Sequence, residues 1–161
     1  MTSISNRPFD EIVIGEQCQR THTVTERDLV LFAAVSGDHN PVHLDAEYAA
    51  TTAFGGQIAH GMFTGGLISA ALAMQLPGPG TVYMGQTLSF RKPVMIGDSL
   101  TVVLTVREKH AEKPIVTLDC SVTNQHGKTV ATGESVVMAP TTSVTIDTPD
   151  LPNISINDKS I

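Results

Sequence analysis

The chain has 161 residues, 41% of them hydrophobic and 16% charged, which suits one globular domain and excludes a disordered or low-complexity polymer. A formal net charge of −6 without any run of Lys or Arg argues against nucleic acid as the main partner, while a local basic contact leaves room for a small anion. No basic-then-apolar leader opens the chain, the stretch over 61–76 is too short and glycine-interrupted to span a bilayer, and Cys18 and Cys120 lack any metal-type spacing, so a reduced, cytoplasmic protein with no membrane partner is expected.

Residues 1–17 read as an entry segment whose Phe9, Ile12, Val13 and Ile14 can tuck against the body. Residues 19–24 alternate weakly, as a short strand would. Thr25 then precedes Asp28 by one helical turn, a capping-box pattern with Asp in place of the usual Glu or Gln. Leu29, Phe32, Ala33 and Ser36 recur at helical spacing, which predicts a helix over 26–35 stopped by Gly37. Asn40 precedes Pro41, a context that disfavours helical dihedrals, so residues 38–43 read as an irregular loop. Asp45 can cap a short helix from Ala46, and Gly55-Gly56 breaks the chain again before His60.

Residues 61–75 carry no charge and keep their apolar groups to no single face, the pattern of a helix buried all round. The proline–glycine run at 77–80 ends it, and the period then changes to two. Val82, Met84, Leu88 and Phe90 alternate with polar neighbours; so do Leu100 to Val106 and Val116 to Val122, and residues 130–138 form a fourth, less regular run. Short turn-rich connections make these an antiparallel sheet with one apolar face, and the uncharged helix is its natural cover. The fold class is therefore α+β, a curved antiparallel sheet wrapped around a long central helix, in a domain over 1–140. Residues 141–161, rich in Ser, Thr, Asp, Asn and Pro, read as a polar tail or linker.

Asp38, His39, His43 and Asp45 form the one tight cluster of proton-transfer groups, and the uncharged helix begins just beyond it at His60-Gly61. An acid and an imidazole flanking a proline-stiffened turn suit general acid–base chemistry. A free backbone N–H at Gly61 can meet a developing oxyanion. The competing structural reading makes Asp38 a turn cap and His43 an ordinary loop histidine. His39 and His43 have the i, i+4 spacing of metal ligands, but Pro41 lies between them and no third ligand is well placed, so no metal is expected. Ser69 lacks a nucleophile elbow and reads as a back-bonded or pocket-lining serine. Leu67, Ile68 and Leu72 are further lining candidates, His60 reads as a cap or a packed histidine, and His22, His110 and His126 as surface residues.

The segment SGDHNPVHLD, residues 36–45, resembles the hydratase motif of MaoC-like (R)-specific enoyl-CoA hydratases, which have the hot-dog fold. The resemblance continues through Ala53-Phe54, the run from Ile58 to Met62 and the run from Gly85 to Phe90, and covers most of residues 10–140. It implies Asp38 and His43 as the catalytic pair, Gly61 as the oxyanion amide, Asn40 as support for the loop and Ser69 as a helix position facing the pocket. The implied substrates are trans-2-enoyl-CoA thioesters and the products (R)-3-hydroxyacyl-CoA. Coenzyme A is then part of the substrate, no cofactor is needed, and a homodimer or larger homo-oligomer is implied. A hot-dog thioesterase is the first rival, although residues 61–75 lack the carboxylate such enzymes place on or beside the central helix. The second is a hydratase-like module, since the FDEI opening, the LPGPGT break and the polar tail resemble the hydratase part of bifunctional enoyl-CoA hydratase/phosphate acyltransferases.

Overall fold

The computed structural model describes residues 2–156. Its elements, in chain order, are β1 (Ser3–Ser5), β2 (Gln17–Thr23), α1 (Glu26–Ser36), α2 (Pro41–Leu44), α3 (Ala46–Thr51), α4 (Gly61–Met74), β3 (Val82–Phe90), β4 (Ser99–Lys109), β5 (Ile115–Thr123), β6 (Thr129–Met138) and β7 (Thr145–Asp147), with a 3-10 turn at Phe9–Glu11.

Two-residue alternation does in β4 and β5 what the sequence predicts. Leu100, Val102, Leu104 and Val106 point inward, as do Val116, Leu118, Cys120 and Val122, and all are buried. The strands order as β2-β4-β5-β6-β3, antiparallel throughout. Helix α4 lays Thr64, Ile68, Ala71 and Leu72 against this apolar surface, so the core lies between helix and sheet. The result is the expected α+β fold, a sheet wrapped on a central helix.

Helix α1 starts in a complete capping box: Thr25 Oγ1 accepts from the Asp28 N–H at 3.2 Å, and Asp28 Oδ2 accepts from the Thr25 N–H at 2.8 Å. It ends at Gly37, whose φ of 77° is the left-handed conformation glycine adopts without steric cost. His22 is not the plain surface residue expected, because its Nε2 bonds the same Asp28 carboxylate at 2.9 Å. Burial alone would raise the Asp28 carboxyl, but the hydrogen bonds from His22 and Thr25 hold it below its ordinary value.

Several expectations change. Residues 41–44 are not loop but a one-turn helix: Pro41 occupies the first helical position, where its missing N–H is no loss, and Asn40 stands outside the helix as its cap. The predicted apolar face of β3 is broken by a bulge between Tyr83 and Gly85, which leaves Met84 unpaired and shifts the alternation. Val82, Met84 and Phe90 are exposed on this edge strand, while Leu88 packs against the core. Finally, the polar segment after residue 140 is not free within the described residues, since β7 pairs with β1 and Arg27 donates to the Ile154 carbonyl at 2.5 Å. Of the polar tail or linker expected over 141–161, residues 157–161 lie outside the described residues.

Helix α4 is likewise not buried all round in a single chain. Met62, Gly66 and Ala73 are exposed and Ser69 half-buried, positions that follow one another at 4, 3 and 4 residues and so form one stripe along the helix.

Candidate active site

The site is assembled by α2. Asn40 Oδ1 accepts from the Val42 N–H at 3.1 Å and caps the turn, which directs His43 inward. The segment before α4 is fastened to that turn: Gln57 Nε2 donates to the His43 carbonyl at 2.9 Å, the Ile58 N–H to the Val42 carbonyl at 3.3 Å, and the Ala59 N–H to the Val94 carbonyl at 2.8 Å. Asn40 therefore supports the loop, and the structure places its side chain on backbone.

His43 Nδ1 lies 2.7 Å from the Ile58 carbonyl oxygen, which can only accept, so that nitrogen carries the proton. In the neutral ring Nε2 then holds the lone pair. It faces Asp38 Oδ2 at 3.7 Å, too far for a direct hydrogen bond. The two side chains differ in exposure, 10% for His43 and 52% for Asp38, so the pair stands at the boundary between interior and solvent. The other Asp38 oxygen accepts from the Asn40 N–H at 3.2 Å, which aims Oδ2 at the histidine. A water lying in front of Oδ2 and Nε2 can donate one hydrogen to each, leaving its own lone pair free for attack.

His60, expected only to cap or pack, contributes more than that. Its ring is buried and stacks on His43 with centroids 3.7 Å apart and planes 26° from parallel. Its Nε2 donates to the Asp38 carbonyl at 3.0 Å, and Phe32 packs on it at 4.9 Å. It thus fixes both members of the pair, one by stacking and one through the backbone. No periodicity or spacing could have disclosed this, because the contact arises only when α4 folds beside α2.

Gly61 opens α4, and its N–H has no acceptor among the described residues. A Cβ at this position would come within 3.1 Å of the Phe90 ring, so the absence of a side chain is what lets the helix terminus approach β3. Ser69 lies along a cavity of about 490 Å³ between α4 and the bulged part of β3, together with Met62, Gly65, Gly66, Tyr83 and Gln86. Gln86 is held from behind, since the hydroxyls of Tyr83 and Ser135 both donate to its Oε1. Leu72, one turn beyond Ser69, is sealed in the core at 1% exposure and does not line this cavity.

Asp38, His43 and His60 offer ligand atoms within 4.8 Å of one another, a spacing that can suit a metal. Their orientation does not, because rings stacked nearly parallel send their in-plane lone pairs alongside each other rather than toward one point. His39 and Asp45 stay outside the cluster, and Asp45 caps α3 through the Tyr48 N–H at 3.0 Å. Neither cysteine is a ready nucleophile: burial pushes the Cys18 thiol up to about 11 and raises that of Cys120.

A family model described as a MaoC like domain matches residues 11–133. The (R)-specific enoyl-CoA hydratase of Rhodospirillum rubrum is 45% identical over 132 residues, which cover 82% of this chain and 91% of that protein. The solved structure of the R-hydratase PhaJ1 from Pseudomonas aeruginosa superposes with a TM-score of 0.94 at 52% identity, covering 97% of this chain and 100% of that one. The (R)-hydratase from Aeromonas caviae superposes with a TM-score of 0.79 at 42% identity, over 80% of this chain and 98% of that one. The likeness to PhaJ1 extends past residue 140 and so takes in β7 as well as the domain that carries the loop and α4. By sequence over most of its length and by fold over nearly all of it, the chain belongs to the MaoC-like family.

Proposed function

We infer that the protein is an (R)-specific enoyl-CoA hydratase, a hydro-lyase adding water to trans-2-enoyl-CoA to give (R)-3-hydroxyacyl-CoA, and running in reverse as a dehydratase. The observation that carries this reading is the Asp38 carboxylate and the His43 Nε2 lone pair 3.7 Å apart, in a member of this family, with a helix-terminal N–H at Gly61.

The chemistry follows from those positions. Water held by Asp38 and His43 attacks the β-carbon, forming the new C–O bond and giving one proton to the pair. The double-bond electrons move toward the thioester, and the Gly61 N–H receives the negative charge that gathers on its oxygen. The pair returns one proton to the α-carbon and ends as it began. Because water and proton come from the same two side chains, both add to one face, which is syn addition. The acyl chain fits the cavity along Ser69. Cytoplasmic thioester metabolism agrees with two unpaired thiols, and no helix among the described residues is long and apolar enough to cross a membrane.

A second copy of the chain completes this picture. The exposed stripe of Met62, Gly66 and Ala73 lies beside the exposed edge of β3, and leaving both in water is unfavourable. We expect light scattering to return at least twice the chain mass.

A thioesterase reading would place its carboxylate on or beside the central helix; α4 itself carries none, and Asp38, beside the start of α4, leaves the choice to assay. The deciding assay follows loss of enoyl-thioester absorbance across crotonyl-CoA to dodecenoyl-CoA, with chiral analysis of the hydroxyacyl product and a thiol reagent in parallel. Hydration to the (R)-alcohol without thiol release is expected. Thiol release without hydration overturns the assignment.

A further inference from the structure

A thioester whose carbonyl rests at Gly61 has two arms to place, and the cavity along Ser69 takes only one of them. A second cleft, of about 350 Å³, opens on the other side of the same helix terminus. Its inner wall is apolar, built from Ile58, Ala59, Val94 and Val130, and His60 and Gly61 border it directly. Its volume lies in the range of small-molecule sites. At its rim stand Arg91 and Lys92.

These two residues are mounted rigidly. Strand β3 ends at Phe90, and the N–H groups of both Arg91 and Lys92 then donate to the Val130 carbonyl, at 2.8 and 3.4 Å, so the backbone stays tied to β6. Two residues later Val94 accepts from Ala59 at 2.8 Å, tying the same segment to the start of α4. Both side chains are exposed, and neither has an acidic partner among the described residues. Arg7 and Arg107, by contrast, are engaged, the first by Glu11 and Glu16 and the second by Asp119 and Glu134. Two adjacent, unneutralised cations on a fixed backbone at the rim of an apolar cleft match a ligand that is uncharged along its length and anionic at its far end.

We propose that Arg91 and Lys92 bind the phosphate groups of the coenzyme A carrier, with the uncharged pantetheine arm lying in the cleft between them and Gly61. This rests on the hydratase reading and adds to it the groups that select the carrier. The two residues touch no reacting atom, so their contribution belongs in KM and in its dependence on salt.

The test uses the full chain and the double variant Arg91→Ala/Lys92→Ala, assayed with crotonyl-CoA and with crotonyl-pantetheine, which has the same arm but no phosphate. Loss of two charge-assisted contacts is expected to raise KM for crotonyl-CoA about tenfold or more. The kcat on that substrate should hold, and KM for crotonyl-pantetheine should match that of the parent. Added salt should raise the parent's KM for crotonyl-CoA and leave the variant's nearly flat. An unchanged KM for crotonyl-CoA, or an equal rise on both thioesters, overturns the proposal. So does a variant impaired only on a crotonyl-acyl carrier protein, which would reassign the cations to a protein carrier. A parent protein that hydrates neither thioester refutes the hydratase reading itself, a result distinct from any of these.

Discussion

Replacing Asp38 by Asn is expected to lower kcat for crotonyl-CoA hydration by about 10²–10⁴-fold while leaving thermal unfolding where it was. The substitution separates charge from shape. Asn can keep the bond that Oδ1 accepts from the Asn40 N–H at 3.2 Å, so the turn after α1 survives. On the other side it then presents an amide N–H₂, which cannot take a proton. His43 then faces the water alone. Stability should hold because the Asp38 side chain is half exposed and lies in no ion pair other than the 3.7 Å approach to His43. Stopped-time turnover at saturating substrate, paired with a melting curve, reads both quantities. An unchanged kcat would remove Asp38 from the proton transfers, and a fall in kcat matched by a collapsed melting curve would make its role structural.

Gly133→Ala should have the largest effect on folding. Gly133 sits in β6 opposite Leu88 of β3, and a Cβ there would stand 2.0 Å from the Thr87 carbonyl oxygen. Backbone, unlike the end of a flexible side chain, cannot swing aside, so the two strands must part or shift register. We expect a loss of ~3 kcal/mol or more, seen as a melting point lower by ~6–12 °C at the ~2–4 °C per kcal/mol usual for this size. The consequence reaches the site, because β3 carries both Phe90 against Gly61 and the Tyr83 to Gln86 wall of the cavity along Ser69. Activity lost in the folded fraction, not merely in proportion to unfolding, is the expected signature. A melting point within experimental error of the parent would show that β3 can move at no cost.

What the sequence disclosed, and what it hid, divides by the range of the interaction. Strands β4 and β5 were legible because each residue's facing follows from its neighbours two positions away. Helix α4 was legible from its uncharged run, and α1 from a cap and a glycine. Helix α2 escaped because four residues are too few to show a period, and the proline that argued against helix in fact begins one. The bulge in β3 was missed although Gly85 stands at it, because a lone glycine inside an alternating run marks a break without fixing which neighbour is left unpaired. In the candidate site, Asp38, His43 and Gly61 could be singled out because they lie at the ends of a short rigid loop and a helix. His60 could not, since its stacking on His43 joins residues that meet only through the folded path of Gln57 to Ala59. The resemblance to MaoC-like hydratases supplied the reaction, and geometry supplied the protonation pattern of the two imidazoles.

The pairing of β1 with β7 joins Ser3 to Asp147, nearly the two ends of the described chain. While the protein is being synthesised, β1 therefore has no partner until residues 145–147 have been added, a wait of several seconds or more at ~5–20 residues per second. The helix–sheet body can form in that interval, since its strands pair with one another and none of them needs β1. The ribbon is then a late clasp, closed across the longest loop between paired strands among the described residues. In the finished protein its amide protons should be among the first of any strand to exchange with deuterium, well before those of β4 and β5.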